Sequence, residues 1–169
     1  RQRQMCIRDR TKDEVDANYY RLLDFIVRPE YADSVAIGIA SHNLFTSALA
    51  YELAQRRGVA SMLDSEMLQG MSPAQQQIVR EAYGRQILYT PVVRKEDFDV
   101  AVSYLVRRLE ENAASQNFLH ALFAPKTAKR DPIKEQEEVF RWAVDNRWDI
   151  HNGPNREQDR TQETGRQAA

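Results

Sequence analysis

The feature that most constrains the fold is a unit of one strand followed by one helix, which occurs three times along the chain. Apolar segments that contain β-branched residues occupy residues 34–41, 59–68 and 86–93, and this composition predicts strands. The starts of these segments lie about 25 residues apart, a spacing that alternating strands and helices require. The pattern favours a parallel α/β sheet or a (β/α) barrel. The first segment is expected to be buried on both faces of the sheet.

The segments between the strands have the 3.6-residue period of amphipathic helices. Helices are predicted over residues 12–27, 44–55, 73–83 and 95–112. No strand is followed by a GxGxxG phosphate loop, which argues against a dinucleotide-binding doubly wound fold. Three strands do not close a barrel of eight, so the barrel interpretation requires strands that precede this chain.

The charge balance and hydropathy exclude some classes of function. The 169 residues include 24 basic and 25 acidic side chains, a net charge of −1, without the basic excess that nucleic-acid binding favours. No apolar run is long enough to cross a bilayer, and no signal-peptide core lies at the start. A cytoplasmic protein without a nucleic-acid partner is therefore expected.

Both ends of the chain differ in composition from its middle. Residues 1–10 include the string MCIRDR, which resembles a translated sequencing-library end, so we interpret them as a non-native artefact. Their single cysteine, Cys6, forms neither an internal disulfide nor a metal site by itself. Residues 126–169 are polar and interrupted by prolines, which predicts a linker toward a downstream domain, partly disordered and with a short helix over residues 139–148.

The helix predicted over residues 95–112 carries two adjacent arginines. Tyr104, Arg107, Arg108 and Glu111 fall within about 100° of arc on one side of it. The other side is expected to pack against the protein through apolar residues: Phe98, Val102, Leu105, Val106, Leu109 and Ala113. The polar side is either a solvated face, whose Arg107–Glu111 pair would contribute only about 0.3–0.5 kcal/mol, or an anion site that grips a carboxylate through two guanidinium groups. The spacing leaves both interpretations open.

Polar side chains also follow the predicted strands. They are Ser41, His42 and Asn43 after the first strand, Asp64 and Glu66 in the second, and Tyr89 in the third. Because the carboxyl ends of parallel strands form the active-site face of a (β/α) barrel, these groups are expected to gather at one rim. Each also has a local explanation, such as helix capping by Asn43.

Four short motifs together resemble a known family. The strings IASHNLFT (39–46), EMLQGM (66–71), LYTPV (88–92) and YLVRRLEEN (104–112) occur in this order. They resemble the C-terminal half of the proline dehydrogenase domain of bifunctional proline utilization proteins, over about residues 11–125. Such proteins couple an FAD-dependent proline dehydrogenase to an NAD-dependent pyrroline-5-carboxylate dehydrogenase. The resemblance implies half of a (βα)8 TIM-type barrel, and oxidation of L-proline to 1-pyrroline-5-carboxylate on the way to glutamate.

The resemblance also implies roles for individual residues. The substrate-binding set comprises the arginines that hold the proline carboxylate and the residues that shape the ring pocket: Arg107, Arg108, Tyr89, Tyr104, Leu68 and Glu111. The FAD-binding set comprises Ser41, His42, Asn43, Glu66 and Lys12. Glu66 stands where some members have a glutamine. No catalytic residue is assigned within this chain, and no metal site is expected.

The remaining expectations concern the full-length protein. The resemblance implies a quinone as electron acceptor, transient peripheral association with the inner membrane and a homo-oligomer, with NAD serving only the downstream domain. The family's catalytic-site lysine and aspartate lie on earlier strands, so this chain alone is expected to be inactive. Two alternatives stay open: another (β/α)-barrel enzyme whose arginine pair binds a carboxylate or phosphate, and a non-catalytic interaction fragment.

Overall fold

The computed structural model describes residues 11–127, 129–151 and 153. The expected artefact at residues 1–10 and the tail at residues 154–169 lie outside this range. Three parallel strands form one sheet in the order β1 (Ile37–Ala40), β2 (Leu63–Leu68) and β3 (Gln86–Tyr89). The predicted α/β class and the predicted parallel strands are confirmed.

Helices follow each strand and flank the sheet. They are α1 (Lys12–Ile26), α2 (Leu44–Arg56), α3 (Pro73–Tyr83), α4 (Phe98–Ala113), α5 (Phe118–Phe123) and α6 (Pro132–Asp145). Short 3₁₀ turns occupy Pro29–Tyr31, Ala60–Met62 and Lys95–Asp97. Local chemistry sets several of these ends. The Asn43 side chain accepts the Phe45 N–H at 3.0 Å and caps α2, and Gly84 ends α3 with a positive φ of 73° that favours glycine.

All three strands are shorter than the sequence predicts. The Val59 N–H bonds to the Ala54 carbonyl at the end of α2 (2.9 Å), so this part of the segment forms a turn instead of a sheet ladder. The third strand ends at Tyr89, two residues before Pro91, which has no N–H to donate to a ladder.

The main core lies between the first two strands and the helices α1 and α2. Its buried members are Leu23, Val27, Ile39, Ala50, Ala54, Val59, Met62 and Leu63. The expectation that the first strand is buried on both faces is wrong, because only Ile39 of β1 is buried. In the described residues β1 is an edge strand, and the Glu66 carboxylate occupies the space beside Gly38 where a Cβ would lie.

The prediction that α4 packs through its apolar face is also wrong. Ala101 is the only buried residue of α4, whereas the side chains on the apolar face are exposed, from 39% for Leu105 to 63% for Phe98. An apolar stripe is buried only where another element covers it. Within the described residues no element covers the whole of this face. Helix α5 meets only its C-terminal end, where Leu109 and Ala113 share a shallow pocket with Leu119 and Phe123.

The segment after residue 125 contains a longer helix than predicted. Helix α6 begins at Pro132, preceded by Asp131, whose side chain accepts the Lys134 N–H. It packs against α1, where Ala17, Tyr20 and Ala143 form a second buried cluster. The boundary of the linker stays a prediction. Among the helices of the described range, none is both long and apolar enough to cross a membrane.

Candidate active site

A cavity of about 640 Å³ lies at the carboxyl ends of the three strands. Helices α1, α2, α4 and α6 and the start of α5 with the segment before it contribute the rest of its wall. Ten of the eleven predicted site residues line it: Lys12, Ser41, His42, Asn43, Glu66, Leu68, Tyr89, Tyr104, Arg108 and Glu111. The structure therefore brings together residues that the sequence spreads over 100 positions.

The α4 side of the cavity is built around Arg108. Its two terminal nitrogens pair with the Glu111 carboxylate at 2.8 and 2.9 Å, and its guanidinium carbon lies 5.2 Å from the centre of the Tyr104 ring. The ring centres of Tyr89 and Tyr104 are 5.5 Å apart. Burial and the neighbouring Tyr89 raise the pKa of Tyr104, so its hydroxyl stays neutral. These contacts fix the guanidinium plane in one orientation.

The N–H donors of Arg108 that Glu111 does not use make this side of the cavity suitable for binding an anion. The Arg108 Nε atom is buried and has no hydrogen-bond partner among the described residues. A guanidinium has five N–H donors in a planar fork, and Glu111 accepts only one from each terminal nitrogen. The group is thus held by one carboxylate and still has donors for a second anion.

Arg107 is the predicted site residue that lies outside the cavity. Its side chain is exposed, and its Nε donates to the Ser103 carbonyl of the preceding turn at 3.2 Å. Adjacent helix residues point about 100° apart, so a cavity beside Arg108 is not reached by Arg107 in this side-chain conformation. The structure does not bring the two guanidinium groups together.

At the end of β1, Ser41 and Asn43 have local structural roles. The Ser41 hydroxyl accepts the Asn43 N–H at 3.0 Å, and Asn43 caps α2. His42 points across to the next strand, where its Nε2 accepts the Leu68 N–H at 3.0 Å. Burial lowers the pKa of His42, so the ring is neutral at pH 7. A neutral ring that accepts at Nε2 carries its proton on Nδ1, and this Nδ1 is buried without a partner among the described residues.

The two acidic residues of β2 have different positions. Glu66 lines the cavity. Asp64 was expected at the same rim, but it does not line the cavity and pairs with Arg85 at 2.9 Å. It lies two residues before Glu66 on the same face, and therefore further from the carboxyl end of the strand.

Comparisons with known proteins identify the family of the chain. Residues 6–121, more than half of the chain, match the family model described as proline dehydrogenase. The chain belongs to the proline dehydrogenase family. The family named from the sequence motifs is therefore confirmed.

Individual relatives of this family extend the comparison. The chain is 32% identical over 108 residues to the bifunctional protein PutA of Rhizobium meliloti, a match that covers 60% of this chain and 8% of that protein. A solved structure of proline utilization A from Corynebacterium freiburgense is 53% identical, with a TM-score of 0.71 over 88% of this chain and 13% of that one. The chain thus spans a small part of the length of either relative.

Sequence reasoning missed the aromatic wall that α1 and α6 add to the cavity through Tyr19, Tyr20 and Phe140. Phe140 of α6 stacks on Phe45 with ring centres 5.3 Å apart and meets Tyr20 edge-on at 5.4 Å. The Tyr20 hydroxyl bonds to the Thr46 hydroxyl at 2.9 Å, and burial raises the pKa of Tyr20 to about 12. The helical spacing of aromatic residues in α1 was a usable signal. Nothing in the sequence of α6 indicated its position.

Lys12 lies at the edge of the same wall. Its ammonium pairs with Asp16 one turn further along α1. Burial raises the pKa of Asp16 more than the lysine lowers it. The pair places one cationic and one anionic group at the cavity, at the start of α1.

Proposed function

We propose that this chain forms one side of the site of an FAD-dependent proline dehydrogenase, which oxidises L-proline to 1-pyrroline-5-carboxylate. One observation carries the proposal: ten of the residues that the family resemblance assigns to the site line a single cavity at the carboxyl ends of parallel strands. In (β/α) barrels this is the face that bears the active site. We propose accordingly that β1, β2 and β3 are strands of a (βα)8 TIM-type barrel.

In this proposal Arg108 binds the carboxylate of proline. Glu111 holds the guanidinium plane, and the unpartnered Nε with the remaining terminal N–H groups provides donors for a bidentate carboxylate. Tyr104, Tyr89 and Leu68 shape the pocket for the pyrrolidine ring. Arg107 is proposed as a second donor, which requires its side chain to leave the Ser103 carbonyl and turn toward the cavity.

The cavity residues are compatible with a flavin. The volume of the cavity lies within the range of about 300–1,000 Å³ that is typical of ligand and cofactor sites. His42 presents a buried Nδ1–H that lacks an acceptor, a suitable donor for a polar atom of the flavin, and Lys12 adds a cationic group. We propose that Ser41, His42, Asn43, Glu66 and Lys12 hold FAD. When bound, FAD supplies the hydride-accepting chemistry, while the protein orients the substrate and shields it from water.

We further propose that the chain by itself is inactive. This is supported by the exposure of β3, whose Ile87, Leu88 and Tyr89 are 42–52% exposed, so the cavity is open on that side. For the full-length protein, a quinone acceptor, a homo-oligomer, peripheral membrane association and a second, NAD-dependent domain are parts of the same proposal.

The proposal is tested by Arg108→Met in a complete enzyme that carries this segment. Loss of charge-assisted hydrogen bonds to a carboxylate costs about 1.5–3 kcal/mol each, so the proline KM should rise about 100-fold while the visible flavin spectrum is unchanged. Arg107→Met should raise the KM less, by about tenfold, which corresponds to loss of one charge-assisted hydrogen bond at the weak end of the range.

Arg56→Met is the matched control, because Arg56 is exposed on α2 and pairs only loosely with Glu52 at 3.6 Å. An unchanged proline KM in Arg108→Met would contradict the carboxylate role. Competition by inorganic phosphate but not by proline analogues would favour the alternative anion-binding enzyme. The purified 169-residue chain should show no proline-reducible flavin absorbance.

A further inference from the structure

Two consecutive glutamines at the start of α3 lie behind the cavity. Gln75 is 4% exposed and Gln76 is 8% exposed, and neither lines the cavity. Glutamine is usually a surface residue, and a buried amide is costly unless its donors and acceptors are paired. The Gln75 Oε1 atom is buried without a partner among the described residues, so the bonds of the two Nε2 atoms indicate what the pair does.

Both amides bond to backbone carbonyls at the cavity. The Gln76 Nε2 donates to the Leu68 carbonyl at 2.9 Å, and the Gln75 Nε2 donates to the His42 carbonyl at 3.5 Å. Leu68 and His42 are themselves joined by the bond from the Leu68 N–H to the His42 Nε2. The ends of β1 and β2 are therefore connected to one helical turn of α3 and to each other.

The third strand is tied into the same network. The Gln86 side chain, at the start of β3, donates to the Gln76 carbonyl at 3.1 Å and to the Ser65 hydroxyl at 3.2 Å. Gln76 thus contacts β2 through its side chain and β3 through its backbone. Rigid positioning of active-site groups to within about 0.5 Å depends on hydrogen bonds of this kind behind the residues that touch the ligand.

We propose that Gln75 and Gln76 are positioning residues, which fix the Leu68 backbone and the Nδ1–H tautomer of His42 relative to each other at the cavity. The proposal rests on the proposed function, since Leu68 is assigned there to the proline ring and His42 to the flavin. Gln76 sets the Leu68 carbonyl, and the Leu68 N–H holds Nε2 of His42 as an acceptor. The proton of the ring is thereby left on the buried Nδ1, the atom that the proposed function assigns to the flavin.

The first arm of the test measures the tautomer directly. In the ¹⁵N-labelled chain the His42 signals, assigned by their loss in His42→Asn, should report a protonated Nδ1 and an unprotonated Nε2 at pH 7. Gln76→Leu keeps the volume but removes the amide, and it should shift the His42 signals. Gln77→Leu is the matched control, because Gln77 is exposed on the same helix and bonds only to Glu81. A proton on Nε2 in the unsubstituted chain would overturn the proposal, and so would unchanged His42 signals in Gln76→Leu.

The second arm measures kinetics in a complete enzyme that carries the segment. Gln76→Leu should raise the proline KM about tenfold, the factor that corresponds to loss of one buried hydrogen bond, with kcat within about twofold; Gln77→Leu should change neither. If Gln76→Leu does not fold, Gln76→Glu, which keeps the shape but replaces the donor with an acceptor, takes its place. Equal KM values in the glutamine variants and the control overturn the positioning role. If neither the unsubstituted enzyme nor any variant oxidises proline, the proposed function is contradicted instead. The tautomer measurement then decides the positioning role by itself.

Discussion

Two regions of the molecule have the same apolar pattern but different surroundings. In the β1–β2 region, Ile39 and Leu63 are 1% and 2% exposed, whereas in the β3–α4 region Leu88 and Leu109 are 42% and 55% exposed. Both regions have an apolar strand followed by an amphipathic helix. The difference shows that the apolar pattern determines which element forms, and that the covering elements determine whether it is buried. In the part of the chain that the structure describes, only the first region is fully covered, by α1 and α2.

The largest expected effect separates these two regions by stability. Leu63→Ala should lower the free energy of unfolding by about 3 kcal/mol, because it removes buried methyl groups and leaves a cavity. Leu109→Ala should lower it by less than about 0.5 kcal/mol, since the side chain already contacts solvent. Urea unfolding of the chain, followed by circular dichroism, measures both.

Comparable losses in the two variants would contradict this contrast. They would indicate that the apolar face of α4 is covered in solution by a second molecule. A dependence of the Leu109→Ala effect on protein concentration would then identify self-association as the cover.

A smaller effect is expected at the ion cluster that ties α6 to the buried region. Asp24 pairs with Arg57 at the end of α2, and with Arg147 after α6 at 3.2 Å. Partial burial raises the pKa of Asp24, but the hydrogen bonds and charges of the two arginines outweigh it, so the net pKa is lowered. Asp24→Asn should therefore lower the free energy of unfolding at pH 7 by about 1–2 kcal/mol.

The pH dependence of this loss has a defined sign. Because the pKa in the folded state is below that in the unfolded state, the stabilisation is complete above the ordinary carboxyl value of 3.8 and is lost as the pH falls through the folded-state value. The difference between the unsubstituted chain and Asp24→Asn should thus shrink below about pH 4. Asp33→Asn, at an exposed position without such arginines, serves as the control. A difference that stays constant down to pH 2 would show that the ion pairs do not stabilise the fold.

The order of elements could be predicted from the sequence because it depends on local periodicity. The lengths of the strands could not be predicted, because the Val59 N–H is bonded within a turn that the apolar run 59–68 does not reveal.

Ten site residues could be placed because the carboxyl ends of parallel strands meet at one edge of the sheet. Arg107 could not be placed correctly, because the four polar residues of α4 span about 100° of arc and the cavity reaches only part of that arc. The position of α6 depends on contacts such as Asp24–Arg147, 123 residues apart, which no local pattern encodes.

The smallest expected effect lies at the boundary between the two regions, where α3 meets α2. The Tyr83 hydroxyl donates to the Ser47 carbonyl at 2.7 Å, so Tyr83→Phe should lower the free energy of unfolding by about 1 kcal/mol. Burial raises the pKa of Tyr83 above its ordinary value of 10. A raised folded-state pKa means that the contribution is complete below about pH 10 and declines only above it, so the loss should be the same at pH 6 and pH 9. Tyr31→Phe is the control, because Tyr31 packs against the same core and its hydroxyl has no hydrogen-bond partner among the described residues. Equal losses in both variants would mean that the hydrogen bond from Tyr83 to Ser47 adds nothing to the stability of this boundary.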